Sequence, residues 1–311
     1  MVFGRVSQQI QSWNALDRVI AGYSCLVAVL ILLRWDYFGD PVRLLGWHAL
    51  VVALLVVLPQ RGARWEAFRP DENLASKGVR LWFRFLRYTY PLLLALFFFE
   101  EAQQTVLVVY PDLPFWFEHM LFAADRWLYG DLPIYALGPY MSPPVDELMH
   151  FFYFSYYLIA ILGTIFAFFG TAWRPWPAPG FDTVITSVMT SFFLAYIWYP
   201  YLPARGPWED PELMAPLYEF RGPMFVPAIK WIISEGAVNG ACFPSGHTAG
   251  TWGGVFGLAR RRPRLAFFLS FIAMGMSVSC VYTRYHHSLD IAAGFACAVV
   301  GGWIAWRVTE R

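Results

Sequence analysis

The sequence predicts an all-α membrane protein that crosses the bilayer about eight times. Hydrophobic residues make up 58% of the 311 residues, and charged residues only 14%, against roughly 25% in an ordinary soluble domain. A soluble fold of this size could not cover so much apolar surface. The long apolar runs lack the strict alternation of barrel strands, which favours helices.

Eight apolar segments are long enough, or nearly so, to cross about 30 Å of hydrocarbon. They lie at roughly 17–35, 44–60, 88–110, 147–170, 182–203, 245–259, 264–283 and 287–306. Glu100, Glu101, Gln103 and Gln104 interrupt the third segment. The sixth is short, but the arginines from Arg260 to Arg262 follow it and can extend towards the headgroup region.

Basic residues predict the orientation, because they concentrate in cytoplasmic loops. With the amino terminus in the cytoplasm, 16 of the 23 Lys and Arg residues fall inside and seven outside. Residues 1–18 are polar and mixed, and the first apolar run has no small-residue cleavage site after it, so we expect a retained helix. The sequence therefore predicts an integral membrane protein with both termini in the cytoplasm.

The segment 72–87 is amphipathic. Arg80, Arg84 and Arg87 share one helical face, while Trp82 and Phe85 are among its apolar residues. This pattern is typical of an interfacial helix on the inner leaflet. A simple cytoplasmic connector explains it equally well.

Composition also bears on partners and on disulfides. The net charge is +1, and no basic run with interleaved aromatics indicates nucleic acid. The cysteines Cys25, Cys242, Cys280 and Cys297 have no metal-type spacing. A bridge between Cys242 and Cys280 is conceivable, because both lie near one predicted membrane face.

Small residues recur at four-residue spacing in the sixth and eighth segments. They are Gly250 and Gly254, Gly253 and Gly257, and Gly294, Ala298 and Gly302. Such spacing lets helices approach closely, so we expect these two segments to pack tightly.

The predicted topology brings four segment ends to the outer face. The fifth segment ends near Arg205, the sixth begins at His247, the seventh ends at Arg284, and the eighth begins near His286. The count of basic residues gives this convergence without reference to any motif. The sequence therefore predicts one composite site on the extracytoplasmic side.

The stretch Pro244-Ser-Gly-His247 suits an anion at a helix start. A helix start carries unpaired N–H groups and partial positive charge. Ser245 can cap it, Gly246 lets an anion approach the backbone, and His247 can donate a proton. A capped helix without chemistry is the alternative.

The stretch from Arg284 to Asp290 supplies a second histidine. His286 and Asp290 are four residues apart and share a helical face, so the carboxylate can orient the imidazole. Arg284 and Arg205 suit the binding of phosphate oxygens. His287 points about 100° away from His286, which favours a lining or interface residue over a nucleophile.

Two alternatives remain for this stretch. The first is a purely structural His286–Asp290 pair at a helix start. The second is a metal site of His247, His286, His287 and Asp290; the residue types allow zinc, but neighbouring arginines fit poorly beside a cation. We therefore expect neither a metal nor another cofactor. Glu100, Glu101 and His150 are ionisable groups near membrane depth and remain unassigned candidates.

The two stretches resemble the type 2 phosphatidic acid phosphatase (PAP2) superfamily. Ser245-Gly-His247 matches its second motif, and His286 followed by Asp290 matches the core of its third. The resemblance implies a six-helix catalytic core over 90–311, preceded by two helices and an interfacial segment over 1–89. It also implies His286 as a nucleophile that becomes phosphohistidine, His247 as acid and base, Asp290 as the orienting residue, and no metal.

The match departs from the family pattern at its arginines. The first motif, Lys-x6-Arg-Pro, is absent; Lys77 and Arg84 have the spacing, but Phe85 replaces proline and the predicted side is cytoplasmic. The arginine six residues before the third-motif histidine is Cys280 here. Arg205 and Arg284, with Ser245 and Gly246, are therefore the expected phosphate-binding residues.

Two further features are similar to the branch of inositol phosphorylceramide synthase-like enzymes and bacterial relatives. They are the two extra amino-terminal helices and the stretch Asp125-Arg-Trp-Leu-Tyr-Gly-Asp-Leu-Pro133. The likeness implies transfer of a phosphorylated headgroup between membrane lipids, in a bacterial inner membrane or a plasma membrane.

The competing functions are a phosphatase acting on phosphatidic acid or polyprenyl diphosphate, and a lipid-phosphate carrier that binds without chemistry. A channel is disfavoured, because no segment shows a regular polar stripe. Motifs give neither the donor headgroup, nor the acceptor (water or a lipid alcohol), nor the oligomeric state.

Overall fold

The computed structural model of the protein describes residues 13, 15–66, 74–112, 117–171, 181–214 and 218–309. Within these ranges, ten helices have twelve or more residues. They are α1 (Ala15–Leu33), α2 (Pro41–Glu66), α3 (Leu74–Thr105), α4 (Glu118–Tyr129), α5 (Pro143–Thr171), α6 (Phe181–Tyr196), α7 (Phe225–Gly236), α8 (Gly246–Ala259), α9 (Pro263–Tyr282) and α10 (Ser288–Thr309). Shorter helical pieces lie at Pro133–Ala136 and Pro211–Met214, with 3₁₀ turns at Trp35–Tyr37, Gly138–Tyr140 and Pro207–Glu209. The described residues contain no β-strand, and Ala204 and Ala241 form an isolated bridge.

The all-helical prediction is confirmed for the described residues, and each of the eight apolar segments overlaps one of these helices. By length and composition, three helices of the described residues could cross a membrane: α1, α9 and α10. Pro41–Val56 is a shorter apolar stretch. The count of eight crossings therefore stays a prediction. Large apolar side chains such as Phe267 and Phe271 on α9 are exposed, as lipid-facing residues would be.

Helix α3 differs from the expected arrangement. The predicted interfacial segment and the third apolar segment form one helix from Leu74 to Thr105, with Pro91 inside it. The helix also runs through the expected boundary at residues 89 and 90. The side chains of Arg80, Arg84 and Arg87 lie outside the part of the chain whose side chains are described. The interfacial role and the division into two units stay predictions.

The first three helices and α6 share one hydrophobic core. It contains Ile20 on α1, Val51 on α2, Phe98 on α3 and Phe193 on α6. The ring of Tyr23 stacks on Phe193, with centroids 4.2 Å apart. The amino-terminal helices thus pack directly against α6.

A buried pair links α2 and α3. His48 Nε2 lies 2.6 Å from Glu101 Oε1, and each side chain is 2% exposed. Removing one partner of such a pair leaves the other without compensation in an apolar core, at a cost of about 3–5 kcal/mol. Glu101 thus has a structural partner that the sequence did not indicate, whereas Glu100 is exposed.

A second buried cluster surrounds Asp146 near the start of α5. Its carboxylate accepts hydrogen bonds from the hydroxyls of Tyr282 (2.7 Å) and Tyr218 (3.0 Å) and from the backbone N–H of Arg221 (3.0 Å). His150 Nδ1 lies 2.7 Å from the Asp146 carbonyl oxygen. His150 thus belongs to the cluster that ties α5 to α9 and to the 218–221 loop.

The centre of the molecule is the close packing of α6, α8 and α10. A Cβ atom on Gly257 of α8 would lie 2.7 Å from Val184 Cα on α6, nearer than real Cβ atoms come. On Gly254, one turn away, a Cβ would meet Val188 Cγ2 at an ordinary 3.7 Å. The spacing of small residues therefore reflects packing, as the sequence predicts, and the two sites differ in how much room they leave.

We expect Gly257→Ala to destabilise the protein by about 1–3 kcal/mol, because the added methyl group meets backbone that cannot move aside cheaply. Gly254→Ala is the matched control and should be neutral or slightly stabilising, because alanine favours helix more than glycine. Thermal unfolding in detergent measures both. Equal midpoints for the two variants would contradict this account of the packing.

Candidate active site

The two histidine stretches are joined through their backbones. The N–H of Ser245 donates to the carbonyl oxygen of Asp290 at 3.0 Å. Ser245 also caps α8, since its Oγ accepts from the N–H of Thr248 at 3.2 Å. Gly294 on α10 lies against the Ser245 carbonyl, where a Cβ would clash. The start of α8 is thus fixed against the first turn of α10.

A tight turn carries the chain from α9 to α10. The N–H groups of Tyr285 and His286 both donate to the Cys280 carbonyl oxygen at 3.1 Å, which satisfies an acceptor at the end of α9. Arg284, which precedes Tyr285, has a φ of 69°, in the left-handed region that favours glycine. The turn places His286 just before α10, one turn from Asp290.

The structure brings His247, His286 and Asp290 together. His286 Nε2 lies 3.4 Å from His247 Nδ1, and His286 Nδ1 lies 3.3 Å from Asp290 Oδ2. Asp290 is fully buried and His286 is 6% exposed. Tyr153 on α5 extends the series, because its hydroxyl lies 3.0 Å from His247 Nε2.

One assignment of protons satisfies all three of these contacts. Tyr153 donates to His247 Nε2, His247 donates through Nδ1 to His286 Nε2, and His286 donates through Nδ1 to Asp290. In this assignment, Nε2 of His286 is the unprotonated nitrogen, and the proton nearest to it sits on His247. The arrangement therefore offers a nucleophilic nitrogen and a neighbouring proton donor in one site.

Cys242 also contacts Asp290. Its Sγ donates to Asp290 Oδ2 at 2.7 Å and lies 3.3 Å from His286 Nδ1. Burial, followed by the charge of Asp290, raises the pKa of the Cys242 thiol well above its ordinary value, so the thiol remains protonated. Cys242 and Cys280 do not form the conceivable bridge, and all four cysteines of the chain are free.

His287 has different partners from His286. Its Nδ1 lies 3.2 Å from Asp125 Oδ2 on α4, and its Nε2 lies 3.3 Å from the carbonyl oxygen of Arg205. Asp125 also accepts from the N–H of Ser288 at 3.2 Å. His287 therefore anchors α4 to the start of α10, which fits the prediction of an interface residue.

The two arginines expected to bind phosphate have protein partners. Arg205 donates through Nε to Glu118 Oε1 at 2.9 Å, and its Nη2 also contacts that carboxylate. Arg284 is 2% exposed, donates to the Tyr218 carbonyl oxygen at 2.8 Å and stacks on the Phe220 ring. Burial lowers the pKa of Arg284. The carbonyl oxygen of Arg205 contacts His287 beside the site. The guanidinium contacts described here are with other protein groups, not with His247 or His286.

Comparison with known protein families matches residues 148–311 to the PAP2 superfamily. The chain belongs to the PAP2 superfamily. Its members act on phosphate esters as phosphatases or phosphotransferases. No curated protein and no solved structure matches the chain.

The PAP2 match spans helices α5 to α10, and so includes Tyr153, His247, His286 and Asp290. The branch of inositol phosphorylceramide synthase-like enzymes is not confirmed. Asp125 and Glu118, which contact His287 and Arg205, lie on α4, before the matched region. A helix that precedes the matched region therefore contacts residues beside the site.

Sequence reasoning missed four residues of this site. Tyr153 and Glu118 gave no signal, because their partners lie 94 and 87 residues away. Cys242 attracted notice only as a conceivable disulfide partner. Asp125 was visible as part of the stretch Asp125–Pro133, and a buried acid in a helix of an outer loop is a usable signal for a histidine partner.

Glu209 holds the outer loop together beside the site. Its carboxylate accepts from the N–H groups of Gly206 at 2.6 Å and Gly240 at 3.1 Å. These bonds link the residues after Arg205 to the residues before Cys242. Burial raises the pKa of Glu209 from 4.5 to about 7, more than these hydrogen bonds lower it.

We expect the stability of the folded protein to fall as the pH rises from about 4.5 to about 7, to the extent that Glu209 contributes. The folded state retains the proton through this window while the unfolded state loses it, so deprotonation favours unfolding. Glu209→Gln should flatten this part of the profile and keep an oxygen acceptor. Thermal midpoints across the window measure the effect; identical profiles for the two proteins would refute it.

Proposed function

We propose that this protein is a membrane enzyme that transfers a lipid-linked phosphate, or a phosphorylated headgroup, through a phosphohistidine on His286. The observation that carries the proposal is the position of the His286 ring, with His247 on Nε2 and Asp290 on Nδ1. A histidine that only bound phosphate through Nε2 would need no carboxylate at its Nδ1. The pairing therefore argues against a non-catalytic carrier.

In the first step, His286 Nε2 attacks phosphorus and forms the P–N bond. The P–O bond to the leaving group breaks, and its electron pair goes to the leaving oxygen. His247 acts here as an imidazolium, charged by a proton that the phosphate substrate brings into the site; it donates through Nδ1 and becomes neutral. Asp290 stabilises the positive charge that develops on His286. The two nitrogens lie 3.4 Å apart, so a phosphoryl group entering between them must separate the rings.

In the second step, the hydroxyl of the acceptor attacks the phosphohistidine. His247 takes the acceptor's proton, a new P–O bond forms, and the P–N bond breaks to restore His286. The acceptor decides the product, because water gives hydrolysis and a lipid alcohol gives transfer. No metal or cofactor is needed to balance either step.

We favour transfer of a headgroup over hydrolysis. The likeness to inositol phosphorylceramide synthase-like enzymes supports this choice. So does the burial of the nucleophile, since His286 is 6% exposed and limited access of water protects a reactive intermediate from hydrolysis. Hydrolysis of phosphatidic acid or polyprenyl diphosphate is the second candidate, and the same residues would carry it.

Phosphate oxygens would be held at the start of α8. The backbone N–H groups of Gly246 and His247 belong to its first turn, where the helix dipole favours an anion. Ser245 fixes that turn through its cap on Thr248. Arg205 and Arg284 stay candidate phosphate-binding residues.

The active site would lie on the extracytoplasmic face, with membrane lipids as donor and acceptor. The excess of basic residues in the loops on the opposite side supports this orientation. Labelling of single introduced cysteines with a membrane-impermeant reagent, in a background lacking Cys25, tests it. Glu219, exposed in the predicted outer loop, and Arg261, exposed after α8, are suitable positions for the introduced cysteine. The reagent should label a cysteine at 219 and not one at 261.

We expect the purified protein to release phosphate or to form a new phosphorylated lipid, and His286→Ala to abolish this activity by at least about a thousandfold. Phosphatidic acid, phosphatidylinositol with ceramide, and polyprenyl diphosphate are the substrates to screen by mass spectrometry. Acid-labile phosphohistidine at His286 should appear during turnover. Wild-type rates in His286→Ala would refute the proposal, and product identity decides between transfer and hydrolysis.

We expect Tyr153→Phe to lower kcat about fivefold with little change in KM, because the lost hydrogen bond positions His247 and is worth about 1 kcal/mol. Tyr156→Phe is the control; its ring packs on His247 with centroids 4.6 Å apart, and the substitution keeps the ring. Equal kcat values in the two variants would contradict a positioning role for Tyr153.

A further inference from the structure

Three metal-ligand atoms meet at the proposed nucleophile. They are Cys242 Sγ, His286 Nδ1 and Asp290 Oδ2, which lie within 4.8 Å of one another. The separations are 3.3 Å from sulfur to nitrogen, 3.3 Å from nitrogen to oxygen, and 2.7 Å from sulfur to oxygen. All three side chains are buried.

These separations suit a tetrahedral zinc ion. Zinc binds sulfur at about 2.3 Å and histidine nitrogen or carboxylate oxygen at about 2.0–2.2 Å, which places its ligands about 3.3–3.6 Å apart. Two of the three separations already have this size, and the third requires Sγ and Oδ2 to part by less than about 1 Å. Thiolate, imidazole and carboxylate together favour zinc over magnesium or calcium.

A second observation points to a ligand at the same place. Asp290 Oδ1 is buried and has no hydrogen-bond partner in the described part of the chain. A buried carboxylate oxygen without a partner is costly, and a cation bound by both oxygens of the carboxylate would satisfy it. The nearby cations do not compete for this carboxylate, because Arg205 is paired with Glu118 and Arg284 lies on Tyr218 and Phe220.

We propose that Cys242, His286 and Asp290 form an inhibitory site for Zn²⁺. Binding releases the thiol proton of Cys242. The proton of His286 moves from Nδ1 to Nε2, and His247 changes tautomer so that its Nδ1 accepts from His286 and its Nε2 donates to the Tyr153 hydroxyl oxygen. The ion then replaces the hydrogen bond between His286 and Asp290, and a water molecule completes its fourth position. This site differs from the set of three histidines and Asp290 that the sequence suggested, because it lies on the far side of His286 from His247.

Inhibition follows from the position of the ion. With zinc on Nδ1, the neutral His286 ring carries its proton on Nε2, so Nε2 has no lone pair with which to attack phosphorus. The charge of Asp290 is then neutralised by the ion and no longer stabilises a phosphorylated His286. This inhibition rests on the proposed function, whereas the binding of the metal rests on the geometry alone.

Cobalt substitution tests the binding. Metal-free full-length protein in detergent is titrated with Co²⁺ as the probe, and a thiolate-to-cobalt charge-transfer band should appear in the near ultraviolet and disappear on addition of Zn²⁺. Cys242→Ser should lose the band. Cys280→Ser is the control, since that equally buried thiol lies on Met276 Sδ, and it should keep the band. A missing band, or a band unchanged in Cys242→Ser, overturns the site.

Activity tests the inhibition separately. In wild type and Cys280→Ser, Zn²⁺ should abolish turnover and a chelator should restore it. In Cys242→Ser, the zinc concentration for half inhibition, relative to that variant's own zinc-free rate, should rise at least about tenfold. Equal zinc sensitivity in the three proteins overturns the inhibitory role. An inactive wild type with a normal cobalt band would instead refute the proposed function and leave the metal site standing.

Discussion

The site depends on Asp290, which joins the two histidine stretches through both its backbone and its side chain. Its carbonyl oxygen accepts the N–H of Ser245 and so fixes the start of α8. Its carboxylate accepts the N–H of His287, the thiol of Cys242 and the ring of His286. A carboxylate that is fully buried among donors cannot turn away, so one residue sets the distance between the two imidazoles.

This arrangement is possible only because the helices beneath it pack closely. A side chain at Gly294 would meet the carbonyl oxygen of Ser245, and one at Gly257 would meet the backbone of α6. The small residues therefore bring α8 and α10 near enough for a backbone hydrogen bond between their first turns. The close packing of α6, α8 and α10 thus determines the distance between the first turns of α8 and α10, where the site lies.

The sequence predicted the parts of the site that depend on local spacing. His286 and Asp290 are one helical turn apart, and the cap at Ser245 needs only the residues that follow it. The expectation that four segment ends lie on the same membrane face followed from the predicted topology, in which an even number of crossings separates those ends. Each of these inferences uses periodicity or topology, which a single chain displays.

The sequence failed where a partner lies far along the chain. Arg205 and Arg284 are charged residues close to the histidine motifs. The neighbouring sequence does not show that Arg205 binds Glu118 or that Arg284 binds the Tyr218 carbonyl oxygen. The partners of Glu101 and His287 are likewise on other helices. The sequence pattern also did not show that the predicted interfacial segment and the third apolar segment are continuous in one helix, α3.

The most direct test of this account is an experimental structure of the protein with orthovanadate, which adopts the five-coordinate geometry of phosphoryl transfer. The account predicts vanadium bonded to His286 Nε2, an apical oxygen within hydrogen-bond distance of His247 Nδ1, and Asp290 still on His286 Nδ1. Vanadate bound elsewhere, or the two imidazoles on different sides of the helix bundle, would contradict it.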